Sequence, residues 1–480
     1  MKPIIDVHAH VFRGKDIPLK GYLLSRWYPE WYIRLLAPLL FAIIARCIER
    51  APEQRKGPLC GLVLNIVYKY MGEGYRRWTE VLSMQQVGAI AQELVEAYDK
   101  DGIELYVPLV IDYEYWFKST RETPIAHQVR LVYEEVVLPF EGKIHPFVPF
   151  DPARELAYRA NLPGPADPDN GPPEATSSLE MVKDAIRNKG FIGVKIYNTL
   201  GYRPLNNAAV DEQRRHIFRK NKMDRYTVFT GEEFDEVLEE FYEFCVQEQV
   251  PITAHCNATG IEAYPGASLD FASPPYWRAV LDRFPDLHLN LAHFGWNHPE
   301  GYYPPVRWPL ISRPLRQLGE AIRRRFPNML TGRARMRGKE TWVGDICAMM
   351  RDYPYQFTDV AHHGITEDEN IPKYIDAYKG MCHDYPEIKK RLLFGIDWHV
   401  ITRAATHREF KDRYLRVLRE GNLFNDEEIA DFLGGNALDF LGLLPLGTSP
   451  QEGWTKNRER LQRFYQDHSI TPPDWFTSTA

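Results

Sequence analysis

The chain has 480 residues, 44% of them hydrophobic, and a formal net charge of −6. That apolar share supports a large core and excludes a disordered chain, and the negative balance argues against a nucleic-acid footprint. Six cysteines, at 47, 60, 245, 256, 347 and 382, are scattered with no CxxC pair, which suits a reduced, cytoplasmic setting better than a disulfide scaffold.

The first stretch, Ile4-Ile5-Asp6-Val7-His8-Ala9-His10, reads as a short buried strand. It starts so early that no signal peptide is expected. Alternate strand residues share a side, so His8 and His10 project together, as a chelating pair for a divalent ion or as two polar residues in a strand-end turn. A long aromatic-rich excursion over about 11–86 then reads as several helices. Within it Leu35 to Ala45 is apolar but only about half the length needed to span a bilayer. A buried or lid helix is the first reading there, and a membrane-surface or dimer contact the second.

From Val87 a regular alternation begins. Val87 to Lys100 has helical periodicity ended by Gly102, and Leu105 to Ile111 reads as a strand. Ala126 to Val137 is read as helix and His145 to Phe150 as strand. Leu179 to Lys189 and Phe191 to Tyr197 form the next such pair, followed by a polar loop to Thr230. Thr230 and Glu233 fit a capping box for a helix over Glu232 to Gln249, which leads into Val250 to His255. The pairs continue with Tyr276 to Phe284 and Leu287 to His293, Val343 to Arg351 and Tyr355 to Ala361, and Lys373 to His383 and Arg391 to Ile396. A last helix covers about Asp426 to Leu441. About eight short apolar strands, most preceded by a helix, predict an α/β fold with a parallel sheet, closed as a (β/α)8 barrel. No Gly-rich nucleotide turn follows the first strand, which weakens a Rossmann alternative. The expected organisation is one barrel domain over 1–480, with a helical lid at about 11–86, a loop insert at about 294–340 and a tail at about 445–480. The tail's Trp454, Trp475 and Phe476 are expected to pack across the barrel or a neighbour.

In such a barrel the site lies at the C-terminal strand ends. Those ends carry His8 and His10, Lys195, His255, His293, Asp359 with His362 and His363, and Asp397. Each alone is an ordinary polar strand end; their convergence on one rim is the signal. The pieces IIDVHAH at 4–10, GVKIY at 193–197, ITAHCNATG at 252–260, LAHFG at 291–295, LLFGIDW at 392–398 and GGNALDFLGL at 434–443 run in order along most of the chain. Taken together they resemble the amidohydrolase superfamily of metal-dependent barrels, more closely its amidohydrolase-2 branch, which includes aminocarboxymuconate-semialdehyde decarboxylase and related decarboxylases, hydratases and lactonases.

The resemblance implies that His8, His10 and His255 bind a metal, that Asp397 is a ligand, a base or both, and that His293 stands beside the substrate. Zinc is favoured by the His-rich set, though manganese, iron or cobalt also suits nitrogen and carboxylate donors. One ion per chain leaves Lys195 to pair with a substrate carboxylate; two ions would put a carboxylated Lys195 between them, with His293 on the second. His399 is expected to contact substrate or to brace Asp397. Arg333, in a loop that also holds Arg335 and Arg337, either selects an anionic substrate or is simply solvated. Asp6 is read, from strand parity, as a support rather than a ligand. The activity expected is hydrolysis of a C–N or C–O bond in a small-molecule amide, lactone or ester. The alternatives are a non-oxidative decarboxylase and an inert barrel used as a binding module. A homodimer through the apolar inserts is expected, with no membrane span.

Overall fold

The structure is a computed structural model that describes residues 2–21, 42–50, 58–71, 73–117, 123–164, 176–258, 260–264, 266–295, 342–365, 367–404, 406–444 and 454–477. Most of the Leu35–Ala45 run, most of the 294–340 insert and the start of the tail lie outside these residues.

Strands β1 (Ile4–Ala9) and β2 (Ile103–Pro108) pair in parallel. Six more strands form a second parallel sheet in sequence order: β3 (Phe147–Pro149), β4 (Gly193–Ile196), β5 (Ile252–His255), β6 (Leu289–Ala292), β7 (Gln356–Asp359) and β8 (Leu392–Leu393). Hydrogen bonds also link the two sheets. Val7 N donates to Phe394 O at 3.1 Å, beside a parallel bridge of Ala9 with Trp398. On the other edge Val110 N donates to Phe147 O at 3.1 Å, and Tyr106 and Leu109 bridge to Ile144 and Phe147. The chain is therefore α/β, and every described strand pair is parallel. Every residue of β3 to β8 is buried, as expected for strands covered on both sides.

Helices α1 (Pro58–Met71) and α2 (Glu73–Leu82) lie in the first excursion. Helices α3 (Val87–Ala97), α4 (Ile125–Val132), α5 (Ser178–Asn188), α6 (Gly231–Gln247), α7 (Arg278–Arg283), α8 (Trp342–Asp352) and α9 (Ile371–Asp384) precede β2 to β8 in turn. The Thr230 capping box is present: Glu233 N donates to Thr230 Oγ1 at 3.3 Å and Thr230 N to Glu233 Oε2 at 2.7 Å. The helix it opens buries Phe234, Val237, Leu238, Phe241 and Cys245, an i, i+3, i+4 stripe facing the sheet. Gly102 takes φ 66° and ends the turn after α3. In the tail, α10 (Lys456–Asp467) ties back to the sheet: Asn457 Nδ2 donates to Ile192 O and Leu441 O, both at 2.7 Å, and Tyr465 Oη lies 2.8 Å from His145 Nε2. Trp475 is buried, with its indole N–H on Gly142 O.

Two sequence readings need correction. The polar stretch before Thr230 contains a helix, Asp211–Lys220. Its sequence DEQRRHIFRK offers only Ile217 and Phe218 as apolar anchors, too few to show a period. The cysteines are not all unpaired: Cys47 and Cys60 form a disulfide in the N-terminal excursion, while Cys245, Cys256, Cys347 and Cys382 are free thiols. No described helix is long and apolar enough to cross a membrane.

Helix α2 meets the chain after β8 backbone to backbone. A Cβ on Gly74 would lie 1.7 Å from Arg403 O, so only glycine fits there. Gly74→Ala is expected to destabilise the fold by about 1–3 kcal/mol, read as a lower midpoint in urea unfolding.

Candidate functional site

The C-terminal strand ends converge as the sequence implied. His8, His10, Lys195, His255, His293, Asp359 and Asp397 are all buried. His8 and His10 leave β1 on one side, as the period of two requires. His8 Nε2 lies 3.8 Å and His10 Nε2 3.1 Å from Asp397 Oδ1. The opposite nitrogens are occupied: His8 Nδ1 meets Asp359 Oδ2 at 3.0 Å and His10 Nδ1 meets Leu109 O at 2.9 Å. A carbonyl and an ionised carboxylate only accept, so both Nδ1 atoms carry a proton and both Nε2 atoms face Asp397. Such outer partners fix the tautomer of a metal-binding histidine. His8, His10 and Asp397 thus offer three donor atoms within 4.8 Å of one another. A second group of this kind joins His8, His293 and Asp359.

Asp359 is the hub behind the histidines. Besides His8 it accepts from Asn290 Nδ2 at 2.8 Å, His293 N at 2.9 Å and Ala361 N at 3.1 Å. Burial would raise its pKa, but His8 and the other donors hold it below the usual carboxylate range. Burial works against Asp397 in the same way, and contacts with His10 and His362 hold it well below that range. His8 is pushed down by burial, against the pull of Asp359. His293 is pushed well down, by burial first and then by His8 and His255. His8 and His293 are therefore neutral and Asp359 and Asp397 ionised at neutral pH, protonation states that suit a divalent cation.

His255 stands apart from both three-residue groups. Its ring stacks on Tyr197 with centroids 4.4 Å apart, and its Nδ1 lies 3.2 Å from His293 Nε2. His293 Nδ1 donates to Ala361 O at 3.0 Å, so the neutral His293 accepts at Nε2 and His255 carries its proton on Nδ1. That assignment makes Nε2 the unprotonated nitrogen of His255. Lys195 is 2% exposed, and among the described residues its Nζ has no hydrogen-bond partner. Burial pushes its pKa down to about 8, partly offset by Asp359 and Asp397. His399 is fully buried against Phe12 and Trp78, and burial followed by His10 pushes its pKa down to about 3. Arg333, with Arg335 and Arg337, lies outside the described residues.

Asp6 supports β1 as expected, its Oδ1 accepting His8 N and Ile396 N at 3.0 Å each. Parity is not the reason, since residues 6, 8 and 10 share one face; Asp6 is simply deeper along the strand. Two contacts lay outside the sequence reading. His362 Nδ1 lies 2.9 Å from Asp397 Oδ2, and Arg403 Nη2 lies 3.1 Å from His362 Nε2. Backbone strain also gathers at the site: His293, Phe294, His362 and Asp397 take φ of 66°, 48°, 59° and 65°, a region costly for residues other than glycine and held only by surrounding structure.

Parallel strands whose C-terminal ends bring a His-x-His pair onto a late aspartate define a class of α/β proteins with a candidate metal centre. The chain belongs to the amidohydrolase family whose model, described as Amidohydrolase, matches residues 156–443. None of the proteins of curated function matches it. Among solved structures it is similar to a probable 2-pyrone-4,6-dicarboxylic acid hydrolase from Acinetobacter baumannii, at 11% identity and TM-score 0.40 over 92% of this chain and 99% of that one. It is also similar to 5-carboxyvanillate decarboxylase from Sphingomonas paucimobilis, at 12% identity and TM-score 0.41 over the same shares. A Burkholderia multivorans amidohydrolase with bound zinc matches at 12% identity and TM-score 0.40, over 78% of this chain and 93% of that one. At these scores no likeness transfers a reaction to this chain.

Proposed function

We propose that the chain is a metal-dependent hydrolase on a closed (β/α)8 barrel, splitting a C–N or C–O bond in a small carboxylated amide, lactone or ester. Barrel closure is supported by the hydrogen bonds that join β1 to the chain after β8 and β2 to β3. The observation that carries the chemistry is the approach of His8 Nε2 and His10 Nε2 to one oxygen of Asp397, with both Nδ1 atoms held by fixed acceptors. In this reading His8, His10 and Asp397 hold one divalent ion, zinc by preference. A bound divalent ion makes water acidic enough to attack near neutral pH. Asp397, ionised in its buried setting, takes the proton from the attacking water. His293 Nε2, a lone pair in this arrangement, can accept a proton beside the substrate once it releases His255. Lys195 supplies a buried ammonium whose burial cost Asp359 and Asp397 offset only in part. A carboxylate on the substrate relieves that cost.

The second reading is a non-oxidative decarboxylase of an aromatic or unsaturated carboxylic acid, and Lys195 favours it equally. It needs an acid to protonate the carbon that loses CO2. Asp397, held ionised, suits that role less well than the role of base. The test has two parts. Elemental analysis of protein purified without added metal or chelator is expected to find about one divalent ion per chain. Esters, lactones and amides are then screened beside aromatic carboxylic acids. Release of CO2 without net addition of water would overturn the hydrolase reading.

A further inference from the structure

We infer that Arg403 is a positioning residue for Asp397, acting through His362 and clamped by the N-terminal excursion. The inference rests on Asp397 being the working carboxylate of the proposed function. Arg403 Nη2 lies 3.1 Å from His362 Nε2. A guanidinium has donors only and stays charged, so this contact needs a lone pair on Nε2. A ring that accepts at Nε2 keeps its proton on Nδ1. That is the atom 2.9 Å from Asp397 Oδ2. The N–H is not aligned for a regular hydrogen bond, so the ring sets its protonated edge against the carboxylate as an electrostatic brace.

The brace divides the two oxygens of Asp397. Oδ2 faces His362, while Oδ1 faces His10 at 3.1 Å and His8 at 3.8 Å. With the other tautomer His362 would turn a lone pair toward Oδ2. The two would repel, and nothing would hold Oδ1 toward the histidine pair. Arg403 selects the first arrangement because it cannot accept a proton from Nε2.

Arg403 is itself held. Its Nε donates to Val400 O at 3.0 Å, and its guanidinium carbon lies 5.7 Å from the ring centre of Tyr75 and 5.9 Å from that of Trp78, both on α2. Those distances are in the range of cation–π attraction. Among the described residues its side chain meets a carbonyl, an imidazole and two rings, and no carboxylate comes within ion-pair reach. The guanidinium charge is therefore directed at His362 instead of being spent in an ion pair. The contact at Gly74 presses α2 onto the backbone of the same residue. The excursion after β1 thus reaches the carboxylate after β8 through one arginine and one imidazole.

The test uses the full chain with 15N-labelled histidine, the His362 signal being identified by its loss in His362→Gln. Arg403→Met keeps the stem and removes the donors; Arg403→Lys keeps a donor. In the wild type His362 is expected to carry its proton on Nδ1. Arg403→Lys keeps that tautomer, and Arg403→Met loses it. In parallel, the visible spectrum of the cobalt(II)-loaded protein is expected to change in Arg403→Met and not in Arg403→Lys. Turnover of the substrate found by screening falls about 10- to 100-fold in Arg403→Met, with KM nearly unchanged. A wild-type His362 protonated on Nε2 overturns the assignment whether or not Arg403→Met folds. So does an Arg403→Met protein that keeps both tautomer and spectrum. A wild type that takes up no cobalt refutes the metal reading of the site instead, and the tautomer comparison still decides the part played by Arg403.

Discussion

Asp397→Asn is expected to lower kcat by about 10²- to 10⁴-fold, the range lost with a general base. The substitution keeps the side chain's shape and one carbonyl oxygen. What it removes is the ability to take a proton and the negative charge that three imidazoles surround. His10 Nε2 lies 3.1 Å from Oδ1, His8 Nε2 lies 3.8 Å from the same oxygen, and His362 Nδ1 lies 2.9 Å from Oδ2. Burial alone would keep this carboxyl protonated; the imidazoles reverse that and hold it ionised. An asparagine there presents an amide to one of these imidazoles, and its NH2 cannot accept. Steady-state kinetics on the substrate found by screening, with metal analysis of the same preparation, reads the two roles separately. Low turnover with metal retained marks a base, and low turnover with metal lost marks a ligand. Undiminished kcat removes Asp397 from the chemistry.

The strand ends of this site were legible in the sequence because apolar runs stop where the polar residues begin. Ile4 to Val7 delivers His8, Leu289 to Ala292 delivers His293, and Phe357 and Thr358 deliver Asp359. Parallel strands buried on both faces leave little else for such residues to be. Direction within the site was less legible. Strand period places a Cβ and says nothing of the ring's turn, so His255 was expected among the ligands of His8 and His10 but rests against Tyr197 with Nδ1 toward His293. The Arg403 contact was not legible at all. Arg403 follows Asp397 by six residues and its clamp is a helix over three hundred residues earlier. No periodicity or motif joins such positions, because the contact arises only when the excursion folds back over the strand ends. The Asp211–Lys220 helix was missed for the opposite reason: it buries too little apolar surface to leave a pattern.

His8→Ala is expected to leave the purified chain nearly metal-free, while His293→Ala keeps about one equivalent and loses turnover. The difference follows from which nitrogens are engaged. His8 spends Nδ1 on Asp359 at 3.0 Å and turns Nε2 toward Asp397, so its truncation removes a donor atom and strands a buried carboxylate. His293 has both nitrogens committed, Nδ1 to Ala361 O at 3.0 Å and Nε2 to His255 at 3.2 Å. Its removal takes away a ring beside His8 but leaves the three donor atoms of His8, His10 and Asp397 in place. Asp359→Asn falls between the two. The amide can still face His8, but it no longer holds the proton on Nδ1 by charge, and metal affinity is expected to drop about 10- to 100-fold. Titration of the metal-free variants with zinc against a chromophoric chelator orders the three. Equal metal loss in His8→Ala and His293→Ala would contradict a single-ion site and move the argument to the group formed by His8, His293 and Asp359. Lys195, which has no hydrogen-bond partner among the described residues, would then be the residue to examine as the bridge of a second ion.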